Sequence, residues 1–168
     1  LLKQLFPKQV SQALQLGAHY PIWHLQFKAD IESEKIIFRT CDASVDFADT
    51  QIEMFPDINS RQRISTFGTL AQDIERRDFT VNMLLRDLTT GQLLDMTGTS
   101  LQDIQTGILR GHPQVSLDKI LTDDPLRMLR LIRFQAKFGW VISEEVFDCV
   151  RRHAERIQII SGERIHAE

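Results

Sequence analysis

Long apolar runs are missing from this 168-residue chain, and with them any stretch of about 20 residues able to cross a bilayer as a helix. The opening LLKQLFPKQV also lacks the hydrophobic segment and small-residue cleavage site of a secretory leader. Cysteine is scarce: Cys41 and Cys149 stand far apart without metal-ligand spacing, a usage suited to a reducing compartment. These absences argue against a disulfide scaffold and for cytoplasmic residence. His19, His24, His112, His153 and His166 show no zinc-ligand spacing, so no metal site is assigned. Neither a nucleophile elbow nor the glycine pattern of a P-loop occurs. Excess positive charge is missing too. A net charge of −3 and a pI near 6.0 give no bulk attraction to nucleic acid, so any such binding must come from a local site.

What is present fits a folded globular piece: 42% hydrophobic and 26% charged residues lie close to ordinary averages. The length suits one domain, or one small domain with the start of another. The chain begins without Met and ends at ERIHAE, which reads as the opening of a helix, so a fragment of a longer protein is expected.

Pro7 at a first-turn position and Gly17 as a stop predict a helix from Pro7 to about Leu16. Alternation over Ile22–Phe27 predicts a strand, and Lys35–Arg39 and Ser44–Ala48 read as two more. The stretch from Thr50 to Phe67, with PDINSRQ at its centre, reads as a mobile surface loop. Residues Gly68 to Leu85 read as mainly helical, and RDLTTGQLLD as a hairpin turning at Thr90-Gly91. From Ser100 onward the pattern is helical: Ser100 to Thr106, an extended ILRG, Asp124 to Phe138, and Ser143 to about Glu155. The change of character places a boundary near residue 98. The fold class is α+β, a small mixed sheet with helices over residues 1–98 followed by an all-helical part over residues 99–168.

Within LTDDPLRMLRLIRF, residues 121–134, three arginines recur every third position behind two aspartates. At about 100° per residue, Asp124 and Arg127 lie about 60° apart, and Arg130 and Arg133 step about 60° further each. Apolar side chains fill the other directions, so the helix is expected to be largely buried, and buried arginines need partners. Two readings fit. In one, Asp124 caps the helix, Pro125 is its first residue, and the arginines snorkel or pair with acids. In the other, Asp124 and Arg127 present a fixed acceptor and donor set to a nucleobase edge while the later arginines meet phosphate. A second stretch, AQDIERRDFTVNMLL, sets Arg77, Asp78 and Asn82 within two turns. It reads either as a solvated helix face capped by Asp78 or Thr80, or as a triphosphate and ribose site.

Taken together these stretches resemble one family. Arg76-Arg77-Asp78-Phe79-Thr80-Val81-Asn82 matches the R-R-D-F-T-x-N signature of the class II tRNA nucleotidyltransferases, or CCA-adding enzymes, and bacterial poly(A) polymerases. Asp123-Asp124-Pro125-Leu126-Arg127 through Arg133-Phe134 is similar to that family's E-D-P-x-R-x-L-R-x-x-R-F segment. Between them Leu94-Asp95-Met96-Thr97-Gly98 through Ile104 resembles its D-P-x-G-G-x-x-D-L link, and Ser161-Gly162-Glu163-Arg164-Ile165 with Glu168 its S-x-E-R-I-x-x-E. VDFADTQIEMF echoes a V-D-x-A-T-x-R-x-E strand end, with Gln51 in place of the Arg. Asp123 stands where the family has Glu, Met83 where it has a small residue, and the Gly98 link carries an extra residue.

The resemblance implies the C-terminal part of a nucleotidyltransferase palm followed by a helical neck. It implies transfer of C and/or A from CTP or ATP to the 3′ end of tRNA or another RNA, with CCA addition foremost, and a poly(A) polymerase or a non-catalytic binding remnant as alternatives. Arg77, Asp78, Asn82, Asp123, Asp124, Arg127, Arg130 and Arg133 become the expected nucleotide-binding residues. Arg77, Arg130 and Arg133 would serve phosphate, Asp78 and Asn82 the ribose, and Asp124 with Arg127 the base. The family's Mg²⁺ is held by a D-x-D strand after a G-G-x-x-R-D turn, and neither occurs in residues 1–65. Asp46 and Asp49 are spaced D-x-x-D, which on a strand points them to opposite faces. Asp46 therefore reads as a strand-end polar residue or an auxiliary carboxylate, the Mg²⁺ ligands are expected upstream of Leu1, and this piece alone is expected to be inactive.

Overall fold

The computed structural model describes residues 10–16, 22–27, 44–56 and 64–168. An antiparallel sheet of three strands comes first: β1 (Val10–Leu16), β2 (Ile22–Phe27) and β3 (Ser44–Ala48) in the order β1-β2-β3. Strands β2 and β3 fall where alternation placed them. The expected helix up to Leu16 is instead β1, a correction with a clear cause. A segment of about ten residues is too short for a stable isolated helix, and pairing Leu14 with His24 and Leu16 with Ile22 satisfies backbone groups that the segment cannot satisfy alone. The strand expected at Lys35–Arg39 lies outside the described residues.

The expected loop between Thr50 and Phe67 is also corrected. Its two ends form an antiparallel pair, β4 (Gln51–Met54) with β5 (Ile64–Phe67), in register Gln51↔Phe67 to Met54↔Ile64. The polar centre misled the reading because only the flanks carry strand-forming residues. Gly68 follows β5, and a Cβ there would stand 2.6 Å from Ile52 Cγ1, so the chain re-enters against β4 only through a glycine.

Of the helix expected from Gly68 to Leu85, only α1 (Leu70–Glu75) forms. Thr69 and Gln72 cap it reciprocally, the Gln72 amide donating to Thr69 Oγ1 and the Thr69 amide to Gln72 Oε1. A single 3₁₀ turn, Thr80–Asn82, follows, and then β6 (Leu84–Arg86) pairs with β7 (Leu93–Asp95) as the expected hairpin. Asp95 folds the next turn: Oδ1 accepts from the amides of Thr97 and Gly98, and Oδ2 from that of Leu101 in α2 (Ser100–Thr106).

The remaining elements are β8 (Ile108–Leu109), α3 (Leu117–Asp123), α4 (Leu126–Phe138), β9 (Val141–Ile142), α5 (Glu144–His153), the 3₁₀ segment Ala154–Ile159 and α6 (Gly162–Ala167). The short strands β8 and β9 pair in parallel. Helix α3 was not expected from the sequence. The core joins Phe79, Leu109, Leu117, Leu121, Met128, Leu131, Val146 and Cys149, so one aromatic from the RRDFT stretch is packed among α3, α4 and α5. Phe79 is fully buried, which contributes about 3 kcal/mol and pins its neighbours Asp78 and Thr80 against the helices. The Thr80 amide donates to the Arg110 carbonyl, and its hydroxyl to buried Asp103, completing the attachment.

Helix α4 is less buried than its composition suggested. Arg127, Met128 and Leu131 are covered, but Ile132 is 52% exposed and Phe138 47% exposed. The correction follows from where neighbours exist: α3 and the RRDFT stretch cover one face of the first two turns, while the aromatic residues Phe134, Phe138 and Trp140 stack on one another further along.

Candidate functional site

Two short stretches supply most of a cleft of about 520 Å³, lined by Glu53, Arg76, Arg77, Asp78, Asn82, Asp124, Leu126, Arg127, Arg130 and Arg164. Six of the eight sequence-derived residues are on this wall: Arg77, Asp78, Asn82, Asp124, Arg127 and Arg130. Asp123 lines a neighbouring cavity of about 260 Å³ instead, and its carboxylate is bonded to Lys119 one turn back on α3. Arg133 Nε stands 3.0 Å from Glu168 Oε1 in an ion pair, and its guanidinium lies over the Phe134 ring.

Each arginine of the cleft is already engaged. Asp73, almost fully buried in the first turn of α1, accepts from Arg76 at 2.6 Å and from Arg77 at 2.9 Å. Burial alone would raise its pKa, but the two guanidinium hydrogen bonds and the Gln51 amide hold it below the ordinary carboxylate range. Arg77 also donates to the Asn82 carbonyl at 2.7 Å. The guanidinium is thus fixed between Asp73 and the last carbonyl of the 3₁₀ turn, with part of its surface open.

Asp78 is 6% exposed and spans the two stretches. Its Oδ1 accepts from Asn82 Nδ2 at 2.8 Å and from the Phe79 amide at 2.9 Å, while Oδ2 accepts from Arg130 Nε at 2.7 Å. Burial pushes this carboxyl up, and the Asn82 bond, the Arg130 charge and its bond, and the Phe79 amide together bring it below the usual value.

Arg127 is 8% exposed; Nη1 donates to the Ile120 carbonyl at 2.8 Å and Nη2 to the Arg76 carbonyl at 2.7 Å, with Glu53 Oε2 at 4.0 Å. Burial lowers its pKa from the usual arginine value, against the charges of Asp124, Asp78, Glu53 and Asp123. Asp124 joins α3 to α4. Its Oδ1 accepts from the Leu126 amide at 3.2 Å and its carbonyl from the Arg127 amide at 3.0 Å, but the N-cap of α4 is Pro125, one residue later than expected, because Asp124 still closes α3. The same carboxylate takes both bonds from Arg164, at 2.9 and 3.2 Å. Sequence reading missed Glu53, Arg76 and Arg164 as wall residues. Each lies within a quoted stretch, Glu53 in the V-D-x-A-T-x-R-x-E echo and Arg164 in S-x-E-R-I, but only the tertiary fold shows that they converge.

A family model described as the poly(A) polymerase head domain matches residues 1–110. The chain belongs to the tRNA nucleotidyltransferase and poly(A) polymerase family. A CCA-adding enzyme of Streptococcus uberis is 32% identical over 99% of this chain and 36% of its own length. A mitochondrial CCA tRNA nucleotidyltransferase of Saccharomyces cerevisiae is 37% identical over 61% of this chain and 18% of its own length. Poly(A) polymerase I of Salmonella typhi is 35% identical over 63% of this chain and 22% of its own length. Among solved structures, a CCA-adding enzyme in an apo form superposes with a TM-score of 0.73 at 22% identity over 98% of this chain and 35% of that one. The Bacillus stearothermophilus CCA-adding enzyme in complex with CTP gives 0.69 at 21% identity over 92% and 33%. These likenesses show the α+β fold. The chain spans about a third or less of the length of these relatives.

Among the described residues the donors do not suit Mg²⁺, a hard cation that takes oxygen ligands. Asp46 is exposed and pairs with His24 across β2 and β3 at 2.6 Å. The one group of three possible ligands, Asp118, Cys149 and His153, brings a thiol and an imidazole. No step through Mg²⁺ is therefore assigned to these residues. No described helix is long and apolar enough to cross a membrane.

Proposed function

We propose that the whole protein containing this chain is a template-independent RNA nucleotidyltransferase. It adds C and/or A from CTP or ATP to an RNA 3′ end, tRNA receiving its CCA terminus, in the cytoplasm and with Mg²⁺ held outside this chain. Residues 1–98 belong to its head, or palm, and 99–168 to its neck. The observation that carries this reading is the meeting of Asp124 and Arg127 in one cleft with an excess of cations. Its wall holds five arginines against three carboxylates, an electrostatic match for a polyphosphate. Relatives named as CCA-adding enzymes, and solved neighbours with CTP and ATP, support the choice of ligand.

In this reading Arg127, immobilised by two carbonyls, and the Asp124 carboxylate present donor and acceptor to the base. Arg77 and Arg130 neutralise phosphate, and Asp78 with Asn82 faces the ribose. Asp123 acts from beside the cleft, through the junction with Asp124. Arg133 reaches phosphate once it exchanges Glu168. Similarity to a poly(A) polymerase favours a second reading, A addition alone.

Primer extension by the full-length protein on tRNA lacking its end separates the two: CCA addition requires CTP first, whereas poly(A) synthesis proceeds with ATP alone. Asp124→Asn replaces one acceptor by a donor, and one wrong base contact costs about 1–3 kcal/mol. Discrimination of CTP and ATP against UTP and GTP should fall by about 5- to 150-fold, with tRNA affinity kept. Unchanged discrimination overturns the base-reading role, and no incorporation by the wild-type full-length protein overturns the enzyme.

A further inference from the structure

Away from the cleft, on the side of α3 facing α5, a second polar cluster runs from the core to the surface, joining buried Cys149 to part-exposed His153 and exposed Asp118. Cys149 is fully buried and sits one helical turn before His153 on α5, so both side chains lie on one face. Asp118, in the first turn of α3, meets them: its Oδ1 is 2.6 Å from His153 Nε2, and the Cys149 thiol lies beside it. One ligand atom from each of the three residues lies within 4.8 Å of the other two. The nucleotide reading gives this cluster nothing to do, because none of the three lines the cleft.

We propose that Asp118, Cys149 and His153 form a binding site for a thiophilic divalent ion of the Zn²⁺ class, between α3 and α5. The donor set decides the class. A thiolate, an imidazole nitrogen and one carboxylate oxygen suit a tetrahedral borderline-soft ion and disfavour Mg²⁺ or Ca²⁺. Two ligands one turn apart on one helix with a third from a facing helix give three corners, and water completes the fourth.

The proton balance is explicit. Cys149 loses its thiol proton to solvent as the sulfur–metal bond forms, and neutral His153 offers the Nε2 lone pair with its proton on Nδ1. Two negative ligands then match the charge of the ion. Without an ion, burial first and the nearby Asp118 charge second push the thiol up to about 11, so it is inert as a free nucleophile. Arg152, whose side chain is 56% exposed, contacts both oxygens of Asp118, at 3.0 and 3.2 Å. It can stay on Oδ2 while Oδ1 turns to the ion. The 2.6 Å His153–Asp118 separation must open by about 0.7 Å to admit a tetrahedral ion between them, given metal–ligand bonds near 2 Å.

The test uses Co²⁺ as the probe on the metal-free full-length protein, read by absorption, without nucleotide or RNA. Wild type should develop an intense near-ultraviolet thiolate-to-cobalt band that saturates at one equivalent and is bleached by Zn²⁺. Cys149→Ser should lose the band, while His153→Gln, which leaves the thiol in place, should weaken Co²⁺ binding at least tenfold. Circular dichroism checks that each variant is folded. Ions in the nucleotide cleft or on exposed carboxylates give no sulfur band and cannot imitate the result. Absence of the band in wild type overturns the site, as does a band that survives Cys149→Ser or is unchanged in His153→Gln.

Discussion

Asp78 and Arg130 are expected to be the energetic seam between the RRDFT stretch and α4. The Asp78→Asn change keeps size and shape but removes the charge that Arg130 Nε meets at 2.7 Å. It also puts an amide N–H against a donor, since the carboxylate now accepts from Arg130, Asn82 and the Phe79 amide. A hydrogen bond to a charged group contributes about 1.5–3 kcal/mol, and a buried donor left unpaired costs about 1–3 kcal/mol. The Arg130 side chain is 32% exposed and can turn to water or to Glu168 at 3.8 Å, which draws the total toward about 2–3 kcal/mol. Urea unfolding of the wild type, Asp78→Asn, Arg130→Met and the double variant should give a coupling energy of about 1.5–3 kcal/mol at neutral pH. Because Asp78 titrates below its unfolded value, the coupling is fully present above the ordinary carboxylate pKa of about 3.9 and disappears as pH falls through the lower folded value. Single effects that add to within about 0.5 kcal/mol would refute the seam.

Glycine substitutions separate backbone strain from steric clash. Gly107 and Gly139 both have φ of +68°, but a Cβ at Gly107 would stand 2.8 Å from Trp140 Cδ1, whereas at Gly139 it meets nothing. Gly139→Ala should cost about 1 kcal/mol from its left-handed backbone alone, and Gly107→Ala clearly more; equal urea midpoints would contradict the packing of Trp140. In metal-free protein Asp118 should titrate at about 2, held down first by His153 and then by Arg152, and its ¹³C carboxyl midpoint should rise in His153→Gln. Its contribution to stability is complete above about 3.9 and is lost as pH falls toward about 2. A midpoint unaffected by His153→Gln would place the hydrogen bond elsewhere.

The second half of the chain was the more legible. Helix α2 lies at Ser100–Thr106 as its pattern indicated, and α4 and α5 lie within a few residues of expectation. Local signals suffice there, because Gly107 and Gly139 end α2 and α4 and Ser143 caps α5. Strand β1 and the hairpin of β4 and β5 were missed since their stability comes from cross-strand pairing, as at Leu16↔Ile22 and Met54↔Ile64, which the pattern of a single segment does not report. The cleft was legible through its motifs, yet Arg76 and Arg164 were not. Arg164 reaches Asp124 from 40 residues along the chain. The metal cluster escaped for the same reason: Cys149 and His153 carry an i,i+4 spacing, but their third partner, Asp118, is visible only after α3 docks on α5.

The arginine ladder of α4 can now be explained step by step along the helix. Arg127 is tied to two carbonyls, Arg130 to Asp78 and Arg133 to Glu168, so the three guanidiniums pass from a rigid buried setting to an exposed ion pair. Backbone carbonyls do not titrate and cannot turn away, and they hold Arg127 without neutralising it. Carboxylates, by contrast, can be exchanged for phosphate. The group proposed to discriminate a base is therefore the one whose position is fixed before ligand arrives, and those proposed to meet phosphate are the ones whose partners can be traded. Preorganisation at Arg127 lowers the ordering cost of a directional contact, while exchange at Arg130 and Arg133 couples phosphate arrival to release of Asp78 and Glu168. One helix can thus combine a fixed reader with adjustable anchors, which an amphipathic helix with one oily and one charged face could not supply.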